Sequence, residues 1–485
     1  MKRKTLPLMF LLMLPLYGLA QAERHELGRR LRNFETTWEQ TTDAGLRQQA
    51  AEQMNQAVNS FFSLKLMDAG QAMDRGILLL KGNVGNSKLE NLTSIWLKPE
   101  GVWLDSKDNK LPIKVERFYP LKVSVSDQVQ YRAEWLSTSA SEMKAIPGGE
   151  GKLRIPDKLS LAVPPQSGDY MLRMHWSDGS SSVSIEYFRL SISENRDERL
   201  RLINQLVMQD KFLQDSIDKV SLQLNIRQLN RLAKGEILET DYPAQKWLTE
   251  CEQVLDKINR NEPFYQSGRM EQHWMGVKTA AKGVVPLRIQ TVQPGKDSKV
   301  PVVLALHGAG GSENLFFDGY GNGKIARLAA ERGWFVVAPR NSFSKPGHDQ
   351  TLKSLAERYP EMDLTRVFVV GHSMGASEAL REASQNPGAF AAVAALGGGG
   401  SARPVKDDKK LFHRISFYIG VGEHDFARNN AKNLERQLKQ LGIDSVTFNE
   451  YKGLEHMIIV QDALPEVFQF FDKVNHSKVN QSETK

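Results

Sequence analysis

The sequence has very little cysteine and lacks the common metal-binding motifs. Cys251 is the only cysteine in 485 residues, which excludes an intrachain disulfide, a lipobox and a cysteine-rich metal site. Its apolar neighbours at helical spacing, such as Trp247 and Val254, predict a buried small hydrophobe. No HExxH or paired-histidine spacing occurs either. We therefore expect chemistry that needs no metal and no other cofactor.

Charge and hydropathy argue against a nucleic-acid-binding protein and against a protein that spans a membrane. The formal net charge is +7, and it falls to +4 (7 − 3) without the first 22 residues, which carry three basic and no acidic side chains. So small an excess gives no basis for nucleic-acid binding. The longest apolar run, Leu6–Leu19, is shorter than the ~20 residues that a spanning helix needs.

The first 22 residues predict a secretory signal peptide. A basic start at Lys2–Lys4 precedes the apolar run, and Ala20–Ala22 is a small-x-small site, so we expect cleavage before Glu23. An uncleaved anchor is the alternative, but the apolar run is too short, and we expect no stable membrane insertion after cleavage. An exported chain without disulfides fits a bacterial periplasm, and secretion past an outer membrane stays open.

The spacing of apolar residues changes along the rest of the chain and divides it into regions. The expected regions are a helical segment (23–82), an antiparallel β-sandwich of immunoglobulin-like size (83–194), a helical bridging segment (195–262), an α/β domain (263–475) and a polar tail (476–485). In the first region, apolar positions such as Leu27, Phe34, Trp38, Met54 and Phe61 predict two or three amphipathic helices. We expect these helices to form a structural cap on the domain that follows.

Four tryptophans fall in the predicted sandwich. They are Trp96, Trp103, Trp135 and Trp176. They could form an aromatic platform for polysaccharide, although tryptophans in a small sandwich are more often core. Alternation along the strands cannot separate the two interpretations.

Short, continuous apolar runs alternate with helical patterns in the C-terminal region. The predicted strands are 287–292, 300–306, 334–338, 367–370, 391–396, 415–420 and 446–450, and the predicted helices are 324–332, 351–359, 377–385 and 428–441. This alternation is typical of a doubly wound, mostly parallel sheet with both faces buried. In such sheets the chemistry lies beyond the carboxyl ends of the strands.

One strand end carries a candidate nucleophile. The run Val367–Val370 breaks into Gly371-His372-Ser373-Met374-Gly375 and then into a helix-favouring stretch. A serine at such a corner needs strained backbone angles, which only small flanking residues tolerate. Gly371 and Gly375 therefore matter as much as Ser373. A chance G-x-S-x-G is the alternative, and the neighbouring strand ends decide between the two.

Three other strand ends carry matching residues. His307–Ser312 is a glycine-rich loop whose backbone could form an oxyanion hole from the N–H of Met374 together with that of Ala309 or Gly310. No Lys-Ser/Thr follows it, as a phosphate loop would require. Asp425 is the expected acid, with Glu423 as the near alternative, and His456 is the expected base. The order serine, aspartate, histidine is that of α/β-hydrolases.

These motifs carry a resemblance to a known family. Residues from about 275 to 471 resemble the α/β-hydrolase superfamily, and within it exported esterases grouped with polyhydroxybutyrate depolymerases, feruloyl esterases and so-called predicted peptidases. The resemblance rests on His307–Gly311, Gly371–Gly375, Gly422–Asp425 and Gly453–His456. The family often inserts a lid where this sequence has only a short stretch between Leu396 and Ile415, so a deeply capped pocket is not expected.

The predicted chemistry is two-step acyl transfer by Ser373, His456 and Asp425. A carboxylic-ester hydrolase acting on a small or polymeric ester is the leading hypothesis. A serine peptidase of the same fold and a carbohydrate-binding or scaffold protein with an inert hydrolase domain remain alternatives. The candidate substrate-binding residues are Phe316, Phe317, Tyr320 and His348, although the aromatic residues could equally be core.

Overall fold

The computed structural model describes most of the chain. It covers residues 21–83, 85–121, 127–138, 145–208, 216–266, 268–293, 295, 298–340, 347–405 and 408–483. Nearly all of the predicted signal peptide, and the predicted strand Val123–Val125, lie outside the described residues. No helix in the described part of the chain has the length and apolarity needed to cross a membrane.

Four helices begin the described chain. They are α1 (Gln21–Gln40), α2 (Ala44–Phe62), α3 (Leu66–Leu80) and the short α4 (Ser87–Thr93). Asp43 caps α2 by accepting a hydrogen bond from the Leu46 N–H, which satisfies one of the free donors of the first turn. The apolar faces are buried as their spacing predicts, with Phe34, Trp38 and Met54 at most 1% exposed.

Two sheets follow and share one core. The strands are β1 (Ile95–Pro99), β2 (Trp103–Asp105), β3 (Lys110–Arg117), β4 (Gln128–Ser137), β5 (Ala145–Arg154), β6 (Asp157–Ala162), β7 (Gly168–Ser177) and β8 (Ser182–Ser193). One sheet has the order β1-β3-β6 and the other β2-β8-β7-β4-β5. All the pairings are antiparallel except that of β2 with β8. Ile113 of the first sheet and Leu172 of the second belong to the same apolar cluster.

The four tryptophans of this region are core residues. Trp96 is 7% exposed, Trp103 is 1% exposed, and Trp135 and Trp176 are fully buried. The Trp176 indole N–H donates to the Tyr187 hydroxyl, and that of Trp135 donates to the Ala162 carbonyl. The interpretation of these four side chains as an aromatic platform for polysaccharide is therefore wrong.

Three helices connect these sheets to the C-terminal region. They are α5 (Arg196–Val207), α6 (Ile217–Ala233) and α7 (Ala244–Asn259). Cys251 of α7 is buried in the cluster that this segment shares with the C-terminal sheet, as its spacing predicts. Burial raises the pKa of its thiol well above the usual value, which keeps it protonated and unreactive.

An eight-stranded sheet forms the centre of the C-terminal region. The strands are β9 (Gln272–Thr279), β10 (Gly283–Gln290), β11 (Val300–Leu306), β12 (Phe335–Pro339), β13 (Met362–His372), β14 (Ala392–Leu396), β15 (Ser416–Gly422) and β16 (Val446–Tyr451). Their order is β16-β15-β14-β13-β11-β12-β10-β9. The pairings from β12 to β16 are parallel, and β9 and β10 add antiparallel strands at one edge.

Helices lie between the strands. They are α8 (Leu315–Asp318), α9 (Tyr320–Ala330), α10 (His348–Arg358), α11 (Met374–Gln385), a 3₁₀ turn (Pro387–Ala389), α12 (Lys409–Phe412), α13 (Arg428–Gln440) and α14 (Ile458–Glu483). The sequence predicts a polar tail from residue 476, whereas α14 continues through it to Glu483. The sequence analysis also missed β9, in which Gly276 interrupts the apolar pattern. Glycine is needed at this position because a Cβ would lie 2.4 Å from the Leu224 side chain of α6.

Both faces of the large sheet are buried, and each face has a different cover. Val302 and Leu304 of β11 pack into a cluster with α6, α7, α10 and α11, whereas the alternate residues Val303 and Ala305 pack into a second cluster. That second cluster contains α9, α14 and residues of α1, α2 and α3 such as Phe34. The N-terminal helices therefore cover the C-terminal sheet as well as contacting the region that follows them.

A substitution at Gly76 of α3 tests the packing of this helix against α1. A Cβ at Gly76 would lie 2.4 Å from Cε2 of the buried Phe34 ring. We expect Gly76→Ala to lower the free energy of unfolding by ~1–3 kcal/mol because of overpacking, despite the better helix propensity of alanine. Urea unfolding measures the change. Gly28→Ala in α1 is the control, since its Cβ would have no neighbour closer than 3.6 Å, and equal effects of the two changes would contradict the packing.

Candidate active site

Ser373 stands at a strained corner between β13 and α11. Its backbone angles are φ 55° and ψ −114°, which a residue with a side chain rarely adopts. A Cβ on Gly371 would lie 2.2 Å from the Gly375 carbonyl oxygen, and one on Gly375 would lie 2.0 Å from that of Leu306. The structure therefore has the corner that the sequence predicts, and both flanking glycines are required for steric reasons.

His456 and Asp425 reach Ser373 from the ends of two other strands. His456 follows β16, and its Nε2 lies 3.0 Å from the Ser373 Oγ. Asp425 follows β15, and its Oδ1 lies 2.9 Å from the His456 Nδ1. The same Oδ1 accepts the Ala427 N–H at 2.8 Å, which fixes the carboxylate within its loop. Since a carboxylate only accepts, His456 carries its proton on Nδ1, and Nε2 is free to accept the serine proton.

Glu423, the alternative acid, makes a different contact. Its Oε2 accepts the Gly453 N–H at 3.0 Å, and the residue is exposed. It therefore joins the loops after β15 and β16 without contacting the histidine. His424 is also exposed, in agreement with its interpretation as a loop residue.

The glycine-rich loop after β11 lies against the nucleophile. A Cβ on Gly308 would be 3.3 Å from the Ser373 Cβ, and Gly310 has a left-handed φ of 76°. No described residue accepts a hydrogen bond from the N–H of Ala309 or Gly310. Met374 is the first residue of α11, where a helix leaves its N–H groups without an intrahelical partner. The three predicted oxyanion-hole residues are thus together beside Ser373.

A cavity of about 200 Å³ opens beside Ser373 and His456. Much of its apolar lining comes from the N-terminal helices, through Leu27 and Leu31 of α1, Met54, Phe61 and Phe62 of α2, and Met73 of α3. The sequence predicts a helical cap in this part of the chain, and these helices line the cavity in addition to that structural role. The cap comes from the N-terminal helices rather than from the segment between Leu396 and Ile415.

The cap also reaches the triad through a chain of hydrogen bonds. Glu35 of α1 is fully buried and accepts the N–H groups of Tyr320 and Gly321, at 3.0 and 3.2 Å. The Tyr320 hydroxyl lies 2.6 Å from the His372 Nδ1, and the His372 Nε2 lies 2.8 Å from the His456 carbonyl oxygen. Because that carbonyl only accepts, Nε2 donates to it and the Tyr320 hydroxyl donates to Nδ1.

The environment of this chain shifts its titrating groups. Burial, followed by the charge of His456, lowers the pKa of His372 well below the usual value, so the imidazole stays neutral. Burial raises the pKa of Glu35 to about 7, although the two backbone donors oppose the shift. Burial also raises the pKa of Glu455 to about 8, and this carboxyl caps the Met457 and Ile458 N–H groups at 2.7 Å each.

Only one of the four candidate substrate-binding residues lines the cavity. Tyr320 does so, beside its bond to His372. Phe316 and Phe317 are 1% and 6% exposed, lie outside the lining and belong to the core beneath α9. His348 is fully buried at the start of α10 and also lies outside the lining. The substrate role predicted for these three residues is therefore wrong, because the helices after β11 and β12 turn them inward.

His348 instead belongs to a buried charged cluster. Together, His348, Glu378 and Glu382 could offer a metal ion three ligand atoms that lie within 4.8 Å of one another. Among the described residues this is the one group with such an arrangement. The Lys282 ammonium lies 3.1 Å from the His348 Nε2 and 3.5 Å from Glu378. This ammonium supplies the positive charge that the carboxylates need.

Comparison with known proteins agrees with this architecture. Residues 345–469 match the dienelactone hydrolase family. This match, with the parallel sheet and its crossover helices, confirms the predicted α/β-hydrolase fold and the hydrolase class of the domain. No curated protein sequence matches the chain significantly.

Several solved structures are similar to part of the chain. A fluorophosphonate-binding serine hydrolase of Staphylococcus aureus is 16% identical, with 42% of this chain and 99% of that chain covered and a TM-score of 0.35. A ferulic acid esterase is 15% identical, with 42% and 100% covered and a TM-score of 0.36. A thermostable esterase is 15% identical, with 78% and 99% covered and a TM-score of 0.37.

The buried carboxyl of Glu35 predicts a pH dependence of stability. Its folded pKa of about 7 lies above the ordinary 4.5, so the unfolded state ionises first and stability falls as pH rises through this interval. The change is on the order of 3 kcal/mol. In Glu35→Gln we expect this fall to disappear, so that the variant gains stability relative to the wild type between these two pH values. The pH-independent loss of one backbone hydrogen bond adds a constant offset.

Denaturant unfolding at several pH values measures this difference. Glu52→Gln is the matched control, because Glu52 lies on the exposed face of α2. We expect its curve of stability against pH to parallel that of the wild type. A Glu35→Gln curve that is also parallel to the wild type would show that Glu35 does not titrate in this range.

Proposed function

We propose that this protein is an exported serine hydrolase that cleaves carboxylic esters through Ser373, His456 and Asp425 and an acyl-enzyme intermediate. The observation that carries the proposal is the pair of contacts made by His456, 3.0 Å to the Ser373 Oγ and 2.9 Å to the Asp425 Oδ1. These contacts lie beside a cavity lined by Ala309 and Gly310, whose N–H groups have no hydrogen-bond partner among the described residues. A nucleophile, an oriented base and an oxyanion site are the components of acyl transfer.

The first half-reaction would form the acyl-enzyme. The Ser373 Oγ attacks the carbonyl carbon of the ester while its proton passes to the His456 Nε2. Asp425 stabilises the resulting imidazolium through Nδ1. The carbonyl oxygen becomes an oxyanion held by the N–H of Met374 and that of Ala309 or Gly310, each such donor contributing about 3 kcal/mol to transition-state stabilisation.

Collapse of this intermediate would release the alcohol. The carbon–oxygen bond to the leaving group breaks, and the His456 Nε2–H protonates the departing oxygen. Water then enters, gives a proton to His456 and attacks the acyl carbon. The second collapse frees the carboxylic acid and returns the proton to Ser373. The atoms balance with water as the sole co-substrate.

The cavity supports an ester substrate over a peptide with a free amino terminus. Recognition of an ammonium group needs an unpaired carboxylate, and the two acidic residues that line the cavity are Glu239 and Asp318. Glu239 pairs with Arg340 at 2.9 Å, and Asp318 pairs with Arg288 at 2.7 Å. The remaining lining is mostly apolar, which suits an acyl or aryl group.

The export part of the proposal rests on the sequence of Met1–Ala22 alone. Its basic start, apolar run and small-x-small end support passage across a bacterial inner membrane. Periplasmic and secreted locations are both consistent with this leader. Fractionation of cells that express the full chain, with an Ala22→Asp variant at the cleavage site, would test the export.

Covalent labelling tests the nucleophile. We expect a fluorophosphonate probe to label the wild type, and Ser373→Ala to abolish labelling and to lower kcat/KM for short-chain and aryl esters at least about a thousandfold. Ser377→Ala is the control, because this exposed serine lies one turn along α11. A folded wild type that neither reacts with the probe nor hydrolyses esters would refute the proposal. Faster cleavage of peptide amides than of esters would favour the peptidase.

Substitutions of Asp425 and of its neighbour Glu423 test which of the two carboxylates is the acid of the triad. We expect Asp425→Asn to lower kcat by about ten-thousandfold, since the amide cannot hold the imidazole in the required tautomer. Glu423→Gln should retain kcat, because the Glu423 carboxylate accepts the Gly453 N–H at 3.0 Å and makes no hydrogen bond to His456. Steady-state kinetics with one ester measure both variants. A larger loss in Glu423→Gln than in Asp425→Asn would reverse the assignment.

A further inference from the structure

Two exposed aromatic rings flank His456 at the opening of the cavity. Phe426 is 55% exposed and Phe62 is 39% exposed. The Phe426 ring centroid lies 4.2 Å from that of His456, with an interplanar angle of 36°. Phe62 lies 6.4 Å from His456 and 5.8 Å from Phe426, edge-on to both. The three rings form a surface that one side of a bound substrate would contact.

The position of Phe426 is fixed by the turn that positions the acid. The Asp425 N–H donates to the Gly422 carbonyl at 3.2 Å, and the Ala427 N–H donates to the Asp425 Oδ1 at 2.8 Å. Phe426 lies between these two bonded residues. The backbone of Phe426 is therefore held next to Asp425, and its ring lies beside His456 although more than half of the residue is exposed, where a large apolar side chain gains little from burial.

The chemistry of the proposed reaction indicates which part of the ester lies beside Phe426. His456 must deliver its Nε2 proton to the leaving oxygen, so the alcohol departs on the His456 side of Ser373. In the proposed reaction the glycine-rich loop would hold the carbonyl oxygen, and the capped cavity beside it would take the acyl group. Phe62 lines that cavity, whereas Phe426 lies outside its lining. Phe426 is thus beside the path of the alcohol.

We propose that Phe426 binds the alcohol part of the ester and gives the enzyme a preference for aromatic or other apolar alcohols. This inference rests on the proposed function, since it assumes that Ser373 attacks an ester. A ring packed against Phe426 would remove apolar surface of both partners from water and make an aromatic pair. Methanol or another small alcohol would gain neither contribution.

A matched pair of esters tests the inference. Benzyl acetate and methyl acetate share the acyl group and release alcohols of similar acidity, so they differ mainly in apolar contact with the alcohol site. We expect Phe426→Ala to lower the ratio of kcat/KM for benzyl acetate to that for methyl acetate by about tenfold. Phe426→Tyr keeps the ring and should restore the ratio. Met270→Ala, at an apolar residue 47% exposed outside the cavity lining, should leave both values unchanged.

The outcomes separate this inference from the proposed function. If Phe426→Ala lowers kcat/KM equally for the two esters while the fluorophosphonate probe still labels Ser373, then Phe426 only supports His456 and the alcohol site is refuted. An unchanged ratio in Phe426→Ala refutes it as well. If the wild type neither reacts with the probe nor hydrolyses either ester, the proposed function fails and this inference fails with it.

Discussion

The left-handed backbone of Ser373 is the constraint on which the site depends. With φ at 55°, the chain turns from β13 into α11 within one residue, and this turn brings Gly375 against the end of β11. A Cβ on Gly375 would be 2.0 Å from the Leu306 carbonyl oxygen, so only glycine allows the approach. The glycine-rich loop follows Leu306 directly. Backbone packing, rather than side-chain contacts, therefore brings Ser373 and the glycine-rich loop to one point.

The cap extends this arrangement to the other end of the chain. Residues Tyr320–Gly323 all have positive φ, a conformation that costs free energy at Tyr320 and Asn322. The buried carboxyl of Glu35 accepts two N–H groups of this segment, and Tyr320 in turn orients His372 against the His456 carbonyl. Burying a carboxyl is unfavourable, and the hydrogen bonds that it accepts compensate in part. The N-terminal helices are thus linked to His456 by hydrogen bonds and also line the cavity beside it.

The sequence predicted the sheet and the strand ends at which Ser373, Asp425 and His456 lie, because both depend on local pattern. Strands buried on both faces read as continuous apolar runs, and a residue after such a strand lies at the active edge, as Asp425 and His456 do. The cap was not predictable in the same way. An amphipathic helix shows which face is buried but not what covers it, and Glu35 bonds to Tyr320 across 285 residues. Phe316, Phe317 and His348 failed as site residues because proximity in sequence to a catalytic loop does not determine the direction of a side chain.

The charged residues that line the cavity complete its character. Arg32 pairs with Asp241, Glu239 with Arg340 and Asp318 with Arg288, while Arg24 donates to the Gly310 carbonyl at 2.6 Å. Each charge is directed to a protein partner, so the space beside Ser373 is left to apolar side chains. A drier site strengthens the backbone dipoles directed at an oxyanion. Arg24 also holds the Gly310 carbonyl to α1, while the N–H groups of Ala309 and Gly310 have no hydrogen-bond partner among the described residues.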